Sequence, residues 1–229
     1  YDVEDYIAVV CQTAKCKMPK SRKSLFQSSA VFSWEVGRFE NMGVSSDDAV
    51  ADYARVLTSL KQTDPNHLVS ISCGNSCHSR ADLTLVEDLM NLPDVDYINM
   101  NLLPLEWKWT NTSSLYQTLP NVYIKAQEYF DDYLRLSRRI NKPLIVSEIS
   151  YPRDRNHFEP KSPVDARNSC FNFVTNKLKQ SEDDGNGLSA AFFGNFIDET
   201  EKHVPAAIYA SDTQTLSDIA LSKEKEKSK

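Results

Sequence analysis

No stretch of this sequence holds 18 consecutive apolar residues, so we expect no membrane-spanning helix. The chain also lacks an excess of positive charge, since 26 Lys and Arg residues face 32 Asp and Glu residues and the net charge is −6. A nucleic-acid-binding protein needs a basic face to neutralise phosphates, so nucleic acid is not an expected partner. The 229 residues, 41% of them hydrophobic, are enough to bury one sizeable core.

Cysteine is scarce, and its count of five leaves at least one thiol unpaired within the chain. Cys73, Cys77 and His78 lie close together, but their spacing matches no standard zinc pattern and a fourth ligand would have to come from elsewhere. Buried free thiols are the simpler interpretation. We therefore predict no bound metal and no cofactor.

Short apolar runs alternate with helix-like segments along the chain. The runs lack two-residue alternation, which is typical of strands buried on both faces of a parallel sheet. They occupy residues 30–36, 67–72, 96–103, 143–149 and 188–196. Helices are predicted between and after them, over residues 45–61, 82–90, 121–140, 162–180 and 212–221. Strands and helices in alternation predict an α/β fold with parallel strands and right-handed crossovers.

In such folds the polar residues at the carboxyl ends of the strands usually carry the chemistry. Glu148 is conspicuous among them, because it is a single carboxylate at the end of the apolar run PLIVSEI. Without further information its simplest interpretation is a strand-end carboxylate paired with Arg38 or Arg153, since ion-pair networks also place carboxylates there.

Several segments together resemble the β-mannanase branch of glycoside hydrolase family 5. They are DPNHLVSIS from Asp64, DYINMNLLPLEWKW from Asp96, NKPLIVSEISYPRD from Asn141 and SPVDARN from Ser162, and the resemblance runs from about Ala30 to Leu221. It implies a (β/α)₈ barrel of the TIM type, in which this chain supplies about five strands, the family's strands four to eight. We predict one incomplete barrel domain over residues 1–221 and a charged tail over 222–229. The N-terminal half of the barrel is expected to be missing from this chain, because a barrel must close to remove its sheet edges.

The resemblance implies a retaining glycosidase whose nucleophile is the glutamate at the end of strand seven, which is Glu148 here. Its partner is harder to place. In the family pattern W-x-x-x-N-E-P, the Asn and the acid/base Glu correspond to Arg38 and Phe39 of the segment WEVGRFEN. Glu40 follows one residue later and could replace the missing acid only if the strand end bulged by one residue. Glu35 lies four residues too early and is a weaker candidate.

Other family positions are also changed. Asn101 and Leu103 replace a His and an aromatic residue, and Gly194 replaces a Trp that lies under the sugar. Phe39 cannot transfer a proton, and general acid/base catalysis typically contributes 10²–10⁴-fold. Arg38, at the family's Asn position, could instead pair with Glu148 and lower its nucleophilicity. We therefore predict impaired catalysis.

Two functions remain open. One is a retaining endo-1,4-β-mannosidase type of enzyme, with Glu148 as nucleophile and Glu40 as a displaced acid/base. The other is a non-catalytic glycan-binding or scaffold protein on the same fold. Candidate substrate-binding residues are Arg38, Asn101, Trp107, Trp109 and Tyr151. Both tryptophans are expected to be exposed aromatics, which could stack on sugar faces or equally cover the barrel rim, and Asn101 could be a hydrogen-bonding filler. The expected partner is a polysaccharide or oligosaccharide of the β-mannan type, and the resemblance implies an extracellular or cell-envelope location.

Overall fold

The computed structural model describes residues 2–20, 22–38, 46–72, 83–184, 187–201, 204 and 206–220. Within them five strands alternate with helices, as the sequence predicts. The strands are β1 (Ser33–Arg38), β2 (Leu68–Ser72), β3 (Ile98–Leu102), β4 (Leu144–Ile149) and β5 (Leu188–Phe193). The helices are α1 (Val3–Lys15), α2 (Ser46–Thr63), α3 (Leu83–Met90), α4 (Leu115–Ile140), α5 (Asp165–Asp184) and α6 (Thr213–Ala220). No helix in these ranges is both long and apolar enough to cross a membrane.

The chain divides into two compact units, the first comprising Tyr1–Asn99 with Ile140–Pro143. Its sheet consists of β1 and β2, which run parallel. Helix α2 has Asp47 and Asp48 in its first turn and Lys61 in its last turn. These charges interact favourably with the helix dipole at each end. Its side chains Val56, Leu57 and Leu60 are buried, as are Val69 and Ile71 of β2, so this unit has an apolar core of its own.

The second unit comprises Met100–Arg139 and Leu144–Lys229. Its sheet has the order β3-β4-β5, with β4 and β5 parallel. All five residues of β3 are buried, which explains why this run shows no alternation of polar and apolar side chains. The 26-residue helix α4 buries one long stripe that includes Val122, Ala126, Phe130 and Tyr133.

Helix α4 begins six residues earlier than the sequence suggested. Pro120 lies inside the helix rather than ahead of it. A proline has no N–H to donate, so the helix continues through Pro120 with one backbone hydrogen bond fewer. The segment before the helix is closed by the Asn111 carbonyl, which accepts from Ser114 N–H at 3.3 Å.

Candidate active site

A cleft of about 200 Å³ opens at the carboxyl ends of the three strands of the second unit. Leu103 directly follows β3, Ser150 and Pro152 follow β4, and Asn195 follows β5, and all four line the cleft. The loop after β3 adds Leu105 and Glu106, and the segment before α6 adds Val204 and Ala206. In α/β proteins with parallel strands, this edge of the sheet is where ligands bind.

Glu148 is the fifth residue of β4, two residues before the cleft residue Ser150. It is half-buried, whereas Leu144, Ile145 and Val146 earlier in the strand are buried. The register between β4 and β5 shifts here, because Val146 pairs with Ala191 and Ile149 with Phe193, so three steps on β4 match two on β5. Irregularities of this kind are common next to active sites, where they re-aim a side chain.

A second irregularity lies in β1 of the first unit. Val36 pairs with Ile71 and Arg38 with Ser72, so Gly37 is an extra residue in the strand. Its φ of +66° is a left-handed conformation that favours glycine. A Cβ at this position would also lie 2.5 Å from the Tyr53 hydroxyl oxygen. The backbone conformation therefore favours glycine at this bulge, and a larger residue would also require the Tyr53 side chain to shift.

Several residues singled out in the sequence lie outside the described residues. They are Phe39, Glu40, Cys73, Cys77, His78 and the side chain of Arg38. Glu35 is described, and its Oε1 accepts a hydrogen bond from the Tyr97 hydroxyl at 2.9 Å. Burial and the nearby Glu35 carboxylate raise the pKa of Tyr97, which therefore stays neutral and acts as the donor. The roles of Glu40 and Arg38 remain predictions.

The two tryptophans of the WKW segment are buried, with only 7% of Trp107 and 8% of Trp109 exposed. Their ring centroids are 4.8 Å apart, and Tyr129 of α4 lies 5.2 Å from Trp107 and 6.1 Å from Trp109. The expectation of exposed rings is wrong, because both indoles pack against the long helix. Their role in sugar binding stays a prediction.

The other two predicted binding residues of this unit are also buried. Asn101 lies within β3 with 7% of its surface exposed. Tyr151 is fully buried, and its hydroxyl group donates to the Leu115 carbonyl at 3.3 Å. Burial raises the pKa of Tyr151 to about 12, so this phenol stays neutral at physiological pH. Tyr151 lies between the cleft residues Ser150 and Pro152, and Asn101 lies two residues before Leu103, but both side chains are buried.

Arg153, one of the two partners suggested for Glu148, is paired with a different carboxylate. Its guanidinium binds Asp212 with two hydrogen bonds, of 2.6 Å and 3.0 Å. Arg167 donates to the same carboxylate at 2.9 Å and to Thr215 at 2.8 Å. Both arginines are fully buried, so their charges depend on Asp212 for compensation. No sequence pattern indicates this cluster, since Arg153, Arg167 and Asp212 are 14 to 59 residues apart.

Among the residues that the structure describes, no group of three or more His, Cys, Asp or Glu side chains is arranged to hold a metal ion. Cys170 is a buried free thiol, and burial raises its pKa to about 12. This thiol is therefore protonated and unreactive.

A family model described as GH family 5 beta-mannosidase-like matches residues 16–216. The chain belongs to glycoside hydrolase family 5. Comparison with curated proteins gives no significant match. The family assignment therefore depends on the family model, which covers most of the chain.

Solved structures of family 5 enzymes show the same fold. A variant of the family 5 mannosidase from Rhizomucor miehei in complex with mannosyl-fructose aligns with a TM-score of 0.77 and 14% identity, over 96% of this chain and 56% of that one. The endo-beta-1,4-mannanase from Thermotoga petrophila aligns with a TM-score of 0.71 and 15% identity, over 99% and 51%. An endoglucanase from Pseudomonas stutzeri aligns with a TM-score of 0.58 and 12% identity, over 95% and 60%.

These similarities confirm the predicted fold class, a (β/α)₈ barrel type to which this chain contributes parallel strands and their helices. The chain spans little more than half the length of the first two of these structures.

Proposed function

We propose that this chain is part of a retaining family 5 glycoside hydrolase that acts on β-mannan-type polysaccharide, with Glu148 as the nucleophile and with slow turnover. The observation that carries the proposal is the place of Glu148, at the carboxyl end of β4 and two residues from a cleft at which three strands end. The mannosidase and mannanase neighbours support the substrate class. An extracellular or cell-envelope location is part of the proposal, because a polysaccharide is met outside the cell.

The second carboxyl group is proposed to be Glu40. The Gly37 bulge supports this role, because Arg38 takes the place opposite Ser72 that residue 37 would occupy in a regular strand. If the strand direction continues, Glu40 takes the place that Phe39 would otherwise have. Gly37 thus provides a one-residue shift of the kind that Glu40 needs, three residues before it in the chain.

The retaining mechanism gives the two carboxyl groups different roles. In a retaining enzyme the nucleophile attacks the anomeric carbon, while the acid protonates the departing glycosidic oxygen. The acid then serves as the base for the water that releases the sugar, and the two carboxyl groups lie about 5–5.5 Å apart. Phe39 can do neither step. A displaced Glu40 with imperfect geometry would retain only part of the roughly 10²–10⁴-fold contribution of acid/base catalysis, which accounts for slow turnover.

Hydrolysis of a manno-oligosaccharide by the full-length protein tests the proposal. We expect slow turnover in the parent and its loss in both Glu148→Gln and Glu40→Gln. Glu35→Gln is the matched control, since Glu35 is a carboxylate within β1 that accepts a hydrogen bond from Tyr97. Rapid turnover, or turnover that survives Glu148→Gln, contradicts the proposal.

A non-catalytic glycan-binding protein is the second candidate, favoured by Arg38 and Phe39 at the family's Asn and Glu positions. It predicts that calorimetry detects manno-oligosaccharide binding while product release stays at the level of the buffer. It also predicts that Glu40→Gln leaves the affinity unchanged, because Glu40 then has no proton to transfer.

A further inference from the structure

Asn111 begins the triplet Asn111–Thr112–Ser113, which is the one Asn-x-Ser/Thr triplet of the sequence. The middle residue is not proline, as an acceptor site for N-linked glycans requires. Such a triplet is modified only when the chain presents it at the surface. Its surroundings therefore decide whether the sequence pattern has a function.

The triplet lies in the loop between β3 and α4, ahead of the first residue of that helix, Leu115. Thr112 and Ser113 form a turn, and Asn111 and Ser113 are both exposed to solvent. The same loop contributes Leu105 and Glu106 to the cleft. A glycan at Asn111 would thus stand on a loop that also lines the candidate active site.

The hydrogen bonds of the Asn111 side chain all involve its oxygen. Oδ1 accepts from the Ser113 backbone N–H at 3.1 Å, the Ser113 hydroxyl at 2.6 Å and the Ser114 hydroxyl at 2.8 Å. The amide nitrogen Nδ2 makes no hydrogen bond within the described part of the chain. The reacting atom is therefore accessible, while the hydroxyl that the triplet requires is already in contact with the carboxamide.

We propose that Asn111 is an N-glycosylation site. The co-reactant is a lipid-diphosphate-linked oligosaccharide: Nδ2 forms a bond to the anomeric carbon, and the bond between that carbon and the diphosphate oxygen breaks. The lipid diphosphate leaves with the electron pair, and one Nδ2 proton passes to a base of the transferase. No oxidation or reduction takes place. The proposal depends on the proposed extracellular location and is independent of the proposed hydrolysis.

The test is expression of the full-length protein in a eukaryotic secretory host, behind a cleavable leader and with a reporter acceptor triplet appended at the carboxyl terminus of that protein. An amidase that hydrolyses the glycan-bearing side-chain amide converts the modified Asn to Asp, which marks each occupied position for peptide mass spectrometry. We expect modification at Asn111 as well as at the reporter. A modified reporter with unmodified Asn111 would overturn the proposal.

Two matched variants distinguish the effect of the acceptor triplet from the effect of the hydrogen bonds in the turn. Ser113→Ala and Ser114→Ala each remove one hydroxyl donor from Asn111 Oδ1, but only the first destroys the triplet. We expect Ser113→Ala to lose the glycan and Ser114→Ala to keep it. Ser113→Thr preserves the triplet and is therefore also expected to keep the glycan. Loss in Ser114→Ala and retention in Ser113→Ala would contradict the assignment. Mannan hydrolysis, measured separately after deglycosylation, reports on the proposed function alone.

Discussion

The backbone N–H of Gly37 donates a hydrogen bond to the hydroxyl oxygen of Tyr6, at 2.7 Å. Gly37 is the extra residue of the β1 bulge, and an extra residue in a bulge loses its ladder partner. The Tyr6 hydroxyl on α1 supplies that partner. Helix α1 therefore stabilises the strand irregularity immediately upstream of Phe39 and Glu40.

Tyr6→Phe removes this acceptor and leaves the ring in place. We expect the free energy of unfolding to fall by about 1 kcal/mol, the net value of one hydrogen bond in a partly buried site. If the bulge positions Glu40, kcat for manno-oligosaccharide hydrolysis falls as well. Urea unfolding and steady-state kinetics on the full-length protein measure both. Val9→Ala on the same helix is the control, because Val9 is 58% exposed. Unchanged stability in Tyr6→Phe would show that water replaces the hydroxyl group.

Substitution of Trp107 tests whether this side chain serves core packing or sugar binding. It lies 5.2 Å from Tyr129 and 4.8 Å from Trp109, and 7% of it is exposed. Trp107→Ala is expected to cost about 3–5 kcal/mol, as for other buried aromatic residues. In a stacking platform the same change would instead abolish sugar binding with little loss of stability. Thermal unfolding and calorimetric titration with a manno-oligosaccharide distinguish the two results. Ile124→Ala, at an exposed position of α4, is expected to change neither.

Asp212 compensates two buried arginines, Arg153 and Arg167. Asp212→Asn keeps the shape of the side chain and removes its charge, so the buried guanidinium groups lose their shared anion. Removing one partner of a buried ion pair typically costs about 3–5 kcal/mol. We expect a loss of this size in urea unfolding. Asp218→Asn makes the same chemical change within helix α6, which begins directly after Asp212, at a site bonded to the exposed Gln214, and should cost far less. Equal losses in the two variants would mean that the cluster is dispensable.

The strands were predictable from sequence because each is a short apolar run, and a buried parallel strand needs little else. The start of α4 was not predictable in this way, because a proline is more often found in the first turn of a helix than inside it, and Pro120 lies inside. Gly37 at a strand end was a usable signal for the bulge, because an isolated glycine in a strand often marks one. The pairing of Arg153 with Asp212 could not be predicted, because 59 residues separate them and only the tertiary fold brings them together.

Asp64 and Asp212 are expected to make the folded state less stable at acid pH. Burial raises the pKa of each carboxyl group, but hydrogen bonds outweigh it: Trp34 and His67 lower the pKa of Asp64, and the two arginines lower that of Asp212. Both values lie below the ordinary 3.8, so the folded protein binds fewer protons than the unfolded chain in this range. Their stabilising contribution is complete above about pH 4–5 and is lost as the pH falls through the folded values.

We therefore expect the free energy of unfolding, measured in urea at successive pH values, to decrease from about pH 4 downward. Asp64→Asn and Asp212→Asn are each expected to flatten this decrease, because the substituted amide no longer takes up the proton on unfolding. Each variant is compared with the parent by its slope against pH, so a lower overall stability does not affect the result. A slope as steep in both variants as in the parent would mean that other carboxyl groups produce the acid sensitivity, and that the hydrogen bonds from Trp34, His67 and the arginines do not lower these two pKa values.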